Sequence, residues 1–348
     1  MFRFVKHLNF VSRSYAWISV RFHAQESTHI CKRKMTTESV EKHWITRINN
    51  QMNYERKFYS PEKVVVTIPT LHFQAFDIYL SRTQIKPWNI VDLIVSARLF
   101  TQYPVKHAGN PGDSVVDTHL LMKENILFFV AMKVDINRIF HDPETPKFPL
   151  SIEAEVTHAG NSSSRRLYTV KHPSISTPYI TCQCDDVLVS KSNRQPAMFP
   201  DWWKKKYSKL VKPKEIFKKP SIHDGAYTKD YNMKVEFEHL DHNSHTTTSA
   251  YLKFSINAAF QTVRDNPSGY ISIEHMRAGL KSITMFFHGE SNFGDTLNVK
   301  TSENCCHGNI MLVEIRNLSR DKTGNDGLCC SVVLEFYEPM ESENCSKL

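Results

Sequence analysis

Val235-Glu-Phe-Glu-His239-Leu240-Asp241-His242-Asn243-Ser244-His245-Thr-Thr-Thr-Ser-Ala-Tyr251-Leu252-Lys-Phe254-Ser-Ile256-Asn-Ala258-Ala259-Phe260-Gln-Thr-Val263 is the stretch on which the reading of this chain turns. A short alternating strand at Val235–Phe237 runs into a polar knot, Asp241 to His245, and the knot opens into an apolar helix over about Thr247–Val263. The run of hydroxyl residues at the helix start suits capping. A helix N-terminus carries unpaired N–H groups and a partial positive charge, so an oxyanion held there would be stabilised. Polar residues gathered at such an entrance point to a site.

Outward from this stretch the pattern repeats. Downstream, strands are predicted near Tyr270–His275, Ile283–Phe287, Thr296–Thr301, Ile310–Leu318 and Leu328–Tyr337. Upstream, Val64–Ile68 is a β-branched strand, and Trp88–Phe100 is apolar on nearly every face, as a helix wrapped by other structure should be. Strands follow at Ser114–Met122, Ile126–Val134, Leu150–Val156, Arg165–Val170 and Tyr179–Val189. Strand, buried helix and a run of antiparallel strands therefore occur twice, which predicts a duplication. Residues 36–60 are polar and patternless apart from a short helix near Val40–Ile48.

The chain has 348 residues and a net charge of +8, which looks like a nucleic-acid signal until it is located. Residues 1–35 hold Arg3, Lys6, Arg13, Arg21, Lys32, Arg33 and Lys34 against one acid, Glu26, so +6 of the charge sits there. Interleaved with Phe4, Leu8, Phe10, Trp17 and Ile18, this acid-poor leader has the composition of a mitochondrial transit peptide, which places the protein in the matrix. Arg13 interrupts the apolar segment that a secretory signal needs. No run approaches the ~18 apolar residues of a membrane span. A second basic run, Lys204 to Lys219, reads as a solvated Lys-rich linker over 201–228; its rival reading is a landing patch for a phosphate-bearing arm or an acidic carrier. No recognised binding motif accompanies that run, which argues against nucleic acid. The eight cysteines include two adjacent pairs and no repeated C-x-x-C, so neither a disulfide framework nor a zinc site is implied. Buried thiols in a reducing compartment fit them best.

The layout and motifs resemble a known family. Asp241-His242-Asn243-Ser244-His245, with Tyr251-Leu252 shortly after it, is similar to the Asp-x-Asn-x-His segment of the plant and bacterial acyl-acyl-carrier-protein thioesterases. Ile283 to Ser291 with Gly294-Asp295 resembles their strand ending in a catalytic glutamate and the turn after it. The resemblance implies an α+β tandem (double) hotdog, each copy a curved antiparallel sheet wrapped around a central apolar helix. It divides the chain into a degenerate N-terminal hotdog over 60–200, the linker over 201–228 and a C-terminal hotdog over 229–340 that carries the site. Ile85-Lys86-Pro87-Trp88-Asn89 replaces the motif in the first copy, which is expected to complete the sheet and wall the acyl pocket.

Carried over by residue, the resemblance implies Asp241, Asn243, His245 and Glu290 as the catalytic group, with no cofactor and no metal. Thioester hydrolysis needs a base for water and donors for the oxyanion, and these residue types supply both. Ser291 stands where some relatives have cysteine, so a cysteine nucleophile is untenable. The expected substrate is acyl-CoA or an acyl carrier protein's thioester, and a homodimer stays open because two copies in one chain already satisfy hotdog pairing. Rival readings are weaker. His239, Asp241, His242 and His245 contain metal-ligating types but no forced cluster. The Gly289–Gly294 run has one residue too many for G-x-S-x-G. Hotdog hydratases place aspartate and histidine five apart rather than the four seen here. A non-catalytic hotdog that binds acyl groups or serves as a structural or interaction partner is the alternative from a different class.

Overall fold

The computed structural model describes residues 54–77, 84–102, 114–211, 216–218, 228–303, 308–321 and 327–339. The leader and the helix expected near Val40–Ile48 lie outside them. Its strands are β1 (Glu55–Ser60), β2 (Lys63–Ile68), β3 (Asn125–Ile136), β4 (Leu150–Ala159), β5 (Ser163–Lys171), β6 (Ile180–Ser190), β7 (Thr228–Lys234), β8 (Leu280–Phe287), β9 (Thr296–Glu303), β10 (Ile310–Asn317) and β11 (Leu328–Phe336). Its helices are α1 (Pro87–Gln102), α2 (Thr118–Leu121), α3 (Asp201–Lys206), α4 (Thr248–Asp265), α5 (Ile273–Ala278) and α6 (Leu318–Asp321). All the strands form one antiparallel sheet in the order β1-β2-β4-β5-β6-β3-β8-β11-β10-β9-β7.

That order carries the duplication. The strands before residue 200 lie on one side and those after 228 on the other, and β3 joins them by pairing with β8. Each half has one long helix against its sheet: α1 packs on β2 and β4, α4 on β7, β9, β10 and β11, and the two helices touch each other. In α4 the buried positions Ala250, Tyr251, Phe254, Ser255, Ala258, Ala259, Thr262 and Val263 recur every three to four residues, a stripe that Leu252 widens near the helix start. Alternation does the same for the strands; in β2 Val64, Val66 and Ile68 are sealed while Lys63, Val65 and Thr67 are half-exposed. A single apolar cluster runs through both halves.

Five local expectations change. Among the described residues the first strand is Glu55–Ser60, ahead of the organised sequence expected from residue 60, because β1 is a charged, largely exposed edge strand with no apolar alternation to announce it. The strand expected at Ser114–Met122 is a loop and the short helix α2, since Val116 and Asp117 adopt positive φ (70° and 51°) that no strand allows. Tyr270–His275 runs into α5, where Ser272 and His275 form a reciprocal capping pair. The strand before the polar knot is β7, seven residues earlier than Val235, and Phe237–His239 is a 3₁₀ turn. The solvated linker expected over 201–228 starts with α3, whose Trp203 is fully buried.

Among the described residues Cys182, Cys184, Cys329 and Cys330 are buried thiols. No helix among them is long and apolar enough to cross a membrane.

Candidate active site

The polar knot is a tight turn built by Asp241. Its Oδ1 accepts the N–H groups of Asn243 (2.8 Å) and His245 (3.1 Å), and its own N–H donates to the His245 carbonyl (2.8 Å). Ser244 takes the left-handed conformation (φ 63°) that closes this turn. The Asn243 amide reaches Asp241 Oδ2 at 3.4 Å. Asp241 therefore sets the positions of the other two residues from the turn's inside.

Two residues on, Thr247 caps α4 by accepting the Ala250 N–H (3.1 Å). That leaves the N–H groups of Thr248 and Ser249 as the first donors of the helix. The turn thus delivers His245 beside a helix N-terminus.

Glu290 arrives from the other side. β8 ends at Phe287, the His288 and Gly289 N–H groups both donate to the Cys329 carbonyl (2.8 and 3.1 Å), and the chain then turns toward α4. What fixes the approach is Ser291, which is wholly buried. Its carbonyl accepts the Thr246 N–H (2.9 Å), and its Oγ lies 2.7 Å from Thr246 Oγ1 and 2.9 Å from the Tyr251 hydroxyl. Thr246 follows His245 and Ser291 follows Glu290, so this fastening sets the two candidate side chains face to face. His245 Nε2 stands 3.5 Å from Glu290 Oε2, with 30% and 25% of the two side chains exposed. Ser291 is a fastener rather than a nucleophile. Ser291→Ala is expected to cost about 1–3 kcal/mol, because Thr246 and Tyr251 lose a buried partner, as read by denaturant unfolding.

A residue outside the expected set joins them. Arg194 Nη2 lies 3.4 Å from the same Glu290 Oε2, while its guanidinium rests 5.3 Å above the Phe128 ring. Arg194 belongs to the turn after β6, where it takes φ 57°, so the first half contributes a charged group to the site of the second. Glu290 Oε1 is buried and makes no hydrogen bond. The structure brings His245 and Glu290 together and binds Asp241 and Asn243 to the turn that carries His245. Among the described residues, no hydrogen bond or ion pair joins Asn243 to Glu290.

The first copy has no equivalent. Lys133 pairs with Thr284 at the middle of the β3–β8 ladder, and six residues beyond Thr284 is Glu290. Six beyond Lys133 is Ile139, whose N–H is taken by Asn137 Oδ1 (3.1 Å). Among the rival metal ligands, His239 Nδ1 accepts the Glu236 N–H (2.9 Å) and so serves a local cap. No group of three or more His, Cys, Asp or Glu side chains gathers among the described residues.

The sequence matches no family model and no curated protein. Its structure does have neighbours. An acyl-ACP thioesterase from Bacteroides thetaiotaomicron superposes with a TM-score of 0.55 at 13% identity, over 79% of this chain and 98% of that one. The 12:0-ACP thioesterase from Umbellularia californica gives 0.57 at 14% identity, over 81% and 99%. The fold is a double hotdog. At these identities the likeness carries the fold, and the α+β tandem arrangement expected from the sequence is borne out. The pairing of His245 with Glu290 is an observation on this chain alone.

Proposed function

We propose that this double hotdog hydrolyses acyl thioesters at the Asp241-Asn243-His245-Glu290 site. The observation that carries the reading is the 3.5 Å approach of His245 to Glu290, two residues 45 positions apart that meet beside a helix N-terminus in a thioesterase-like fold. Glu290 Oε1, with no partner, is the atom placed to take a proton from water as its oxygen attacks the carbonyl carbon. The oxyanion then falls to the N–H groups of Thr248 and Ser249 and to the Asn243 amide. When the C–S bond breaks, the thiolate leaves and takes up a proton, which His245 is placed to pass on from Glu290. Arg194 and Asp241 act through position, the first on the Glu290 carboxylate and the second on the turn. None of these steps calls for a metal or cofactor.

Acyl-CoA and the acyl thioester of a carrier protein are the proposed substrates. Lysines at 204, 205 and 209 near α3 would suit either the phosphates of the first or the acidic surface of the second. The test is thiol release by the purified chain from a chain-length series on both carriers. Turnover on either carrier supports the reading; no turnover on any, with tight acyl binding, supports a binding module in its place.

Mitochondrial targeting is part of the same proposal and rests on the basic, acid-poor leader. A reporter fused to residues 1–35 should enter mitochondria, and one that stays in the cytosol removes the claim.

A further inference from the structure

The apolar inner face of the first hotdog is interrupted by a buried charged cluster that an ordinary fatty chain would not need. On β6 Asp186 is fully buried, and it receives two guanidinium groups: Arg166 from β5, and Arg98 from α1 at 3.4 Å. Two cations share one carboxylate, so the cluster holds a surplus positive charge away from water. Arg165 does not change that balance, since its bidentate pair with Asp185 (2.7 and 2.9 Å) is complete. Arg165 and Arg166 are adjacent on a strand, so they face opposite sides of the sheet.

Donors in the cluster also outnumber acceptors. The buried Tyr168 is a further partner of the Arg166 side chain, yet Arg98 Nε and two Arg166 nitrogens, Nε and Nη1, are buried without a well-formed hydrogen bond. Ser164, directly opposite Asp186 in the β5–β6 register, has a buried hydroxyl with no partner. One turn beyond Arg98 on the same helix face, the buried Gln102 amide nitrogen has none either. Buried donors without acceptors are costly, and several around an unbalanced charge describe the recognition of an anion. Burial first, and then the neighbouring Arg166 charge, press the Arg98 pKa downward, a cost that an added negative charge would relieve.

The cluster lies beside the route from Glu290. Phe129, opposite Asp186 in the β3–β6 register, sits under the Arg98 guanidinium at 3.8 Å. Its ring is 6.2 Å from Phe287, and Phe287 is 6.4 Å from Tyr251, which holds Ser291 next to Glu290. Phe129 and Phe287 are only partly buried, and Arg98 keeps 13% of its side-chain surface exposed, so the cluster is not sealed. β6 is two strands from β8, which puts Asp186 roughly 10 Å sideways from the strand that leads to Glu290.

We propose that the acyl group hydrolysed at Glu290 carries a carboxylate at its far end, received by Arg98 and Arg166, so that the preferred substrates are half-thioesters of dicarboxylic acids. The inference rests on the thioesterase reading of the Glu290 site. The apolar rings of Phe129 and Phe287 accommodate the methylene chain, and the guanidinium cluster sets its length and its terminal charge.

The test compares kcat/KM for coenzyme A half-thioesters of dicarboxylic acids with that for unsubstituted acyl-CoA of equal length, on the wild-type chain, Arg98→Gln and Arg98→Lys. The dicarboxylic series should be preferred by tenfold or more at its best length. That ratio should collapse toward one in Arg98→Gln and survive in part in Arg98→Lys, which keeps the charge. Calorimetric binding of free dicarboxylic and monocarboxylic acids to the same proteins gives a second reading that needs no turnover. Absence of hydrolysis on every thioester would defeat the thioesterase reading alone, and the binding preference would then decide the carboxylate site. A wild-type ratio at or below one at every length, or a ratio that Arg98→Gln leaves intact, overturns the proposal.

Discussion

Glu290→Gln is expected to lower kcat for thioester hydrolysis by about 10²–10⁴-fold, the range for loss of a positioned general base. The substitution keeps the shape of the side chain and a carbonyl oxygen that can still accept from Arg194, which lies 3.4 Å from Oε2 in the native pair. What it removes is the ability of Oε1 to take a proton. The fastening of Ser291 to Thr246 and Tyr251 does not involve the Glu290 side chain, so the fold around the site should persist. The loss should therefore fall in kcat, with acyl binding little changed. Steady-state kinetics with calorimetric binding of a non-hydrolysable acyl thioether analogue separates the two. His245→Ala combined with Glu290→Gln gives a sharper outcome, because residues that act as a unit are far from additive. The double variant should be scarcely slower than Glu290→Gln alone. Two losses that multiply would mean that His245 and Glu290, though 3.5 Å apart, work separately.

Asp241→Ala separates positioning from chemistry in the same assay. It deletes the acceptor of the Asn243 and His245 N–H groups and so loosens the turn itself. A fall in both stability and kcat is the mark of that role, whereas Glu290→Gln should move kcat alone.

The site was legible in unequal parts. Asp241, Asn243 and His245 stand within five residues, and their types and spacing signal a turn before a capped helix. Glu290 was reachable because a β-branched strand ends shortly before it and a Gly-Asp turn follows. Arg194 gave no such signal. It sits in a Ser-Lys-Ser-Asn turn after β6 that reads as surface, and only the return of that turn across the sheet sets its guanidinium against Glu290. The fold shows the same division. α1, α4 and the central strands carry their burial in their own periodicity, because packing acts on each residue's face. The edge strand β1 and the loop at Val116 depend on partners remote in sequence, and local pattern misread both.

Val116 leads to the largest expected effect on stability. A β-branched residue at φ 70° is unfavourable, and it persists where surrounding contacts over-determine it. Those contacts come from α3 and the residue just after it. The Trp203 indole N–H donates to the Val116 carbonyl (3.0 Å), and the Val116 N–H donates to the Tyr207 hydroxyl (2.9 Å). Lys206 Nζ, from the run read as solvated linker, reaches the buried Asp117 carboxylate at 2.8 Å. Trp203 itself stacks on Phe199 at 3.8 Å with an interplanar angle of 12°. Trp203→Ala removes the largest fully buried side chain of the first half, its hydrogen bond and the stack together. The expected cost is about 3–5 kcal/mol, typical of Trp→Ala in a core, read as a lower denaturant midpoint. Trp203→Phe keeps a ring against Phe199 but leaves the Val116 carbonyl unpaired, and should cost about 1–3 kcal/mol. If Trp203→Ala costs less than about 1 kcal/mol, α3 is a surface segment after all and the Val116 loop holds without it. A loss in the expected range makes 201–207 part of the first hotdog's core, where the aromatic residues seal the sheet and Lys206 turns inward to the buried Asp117.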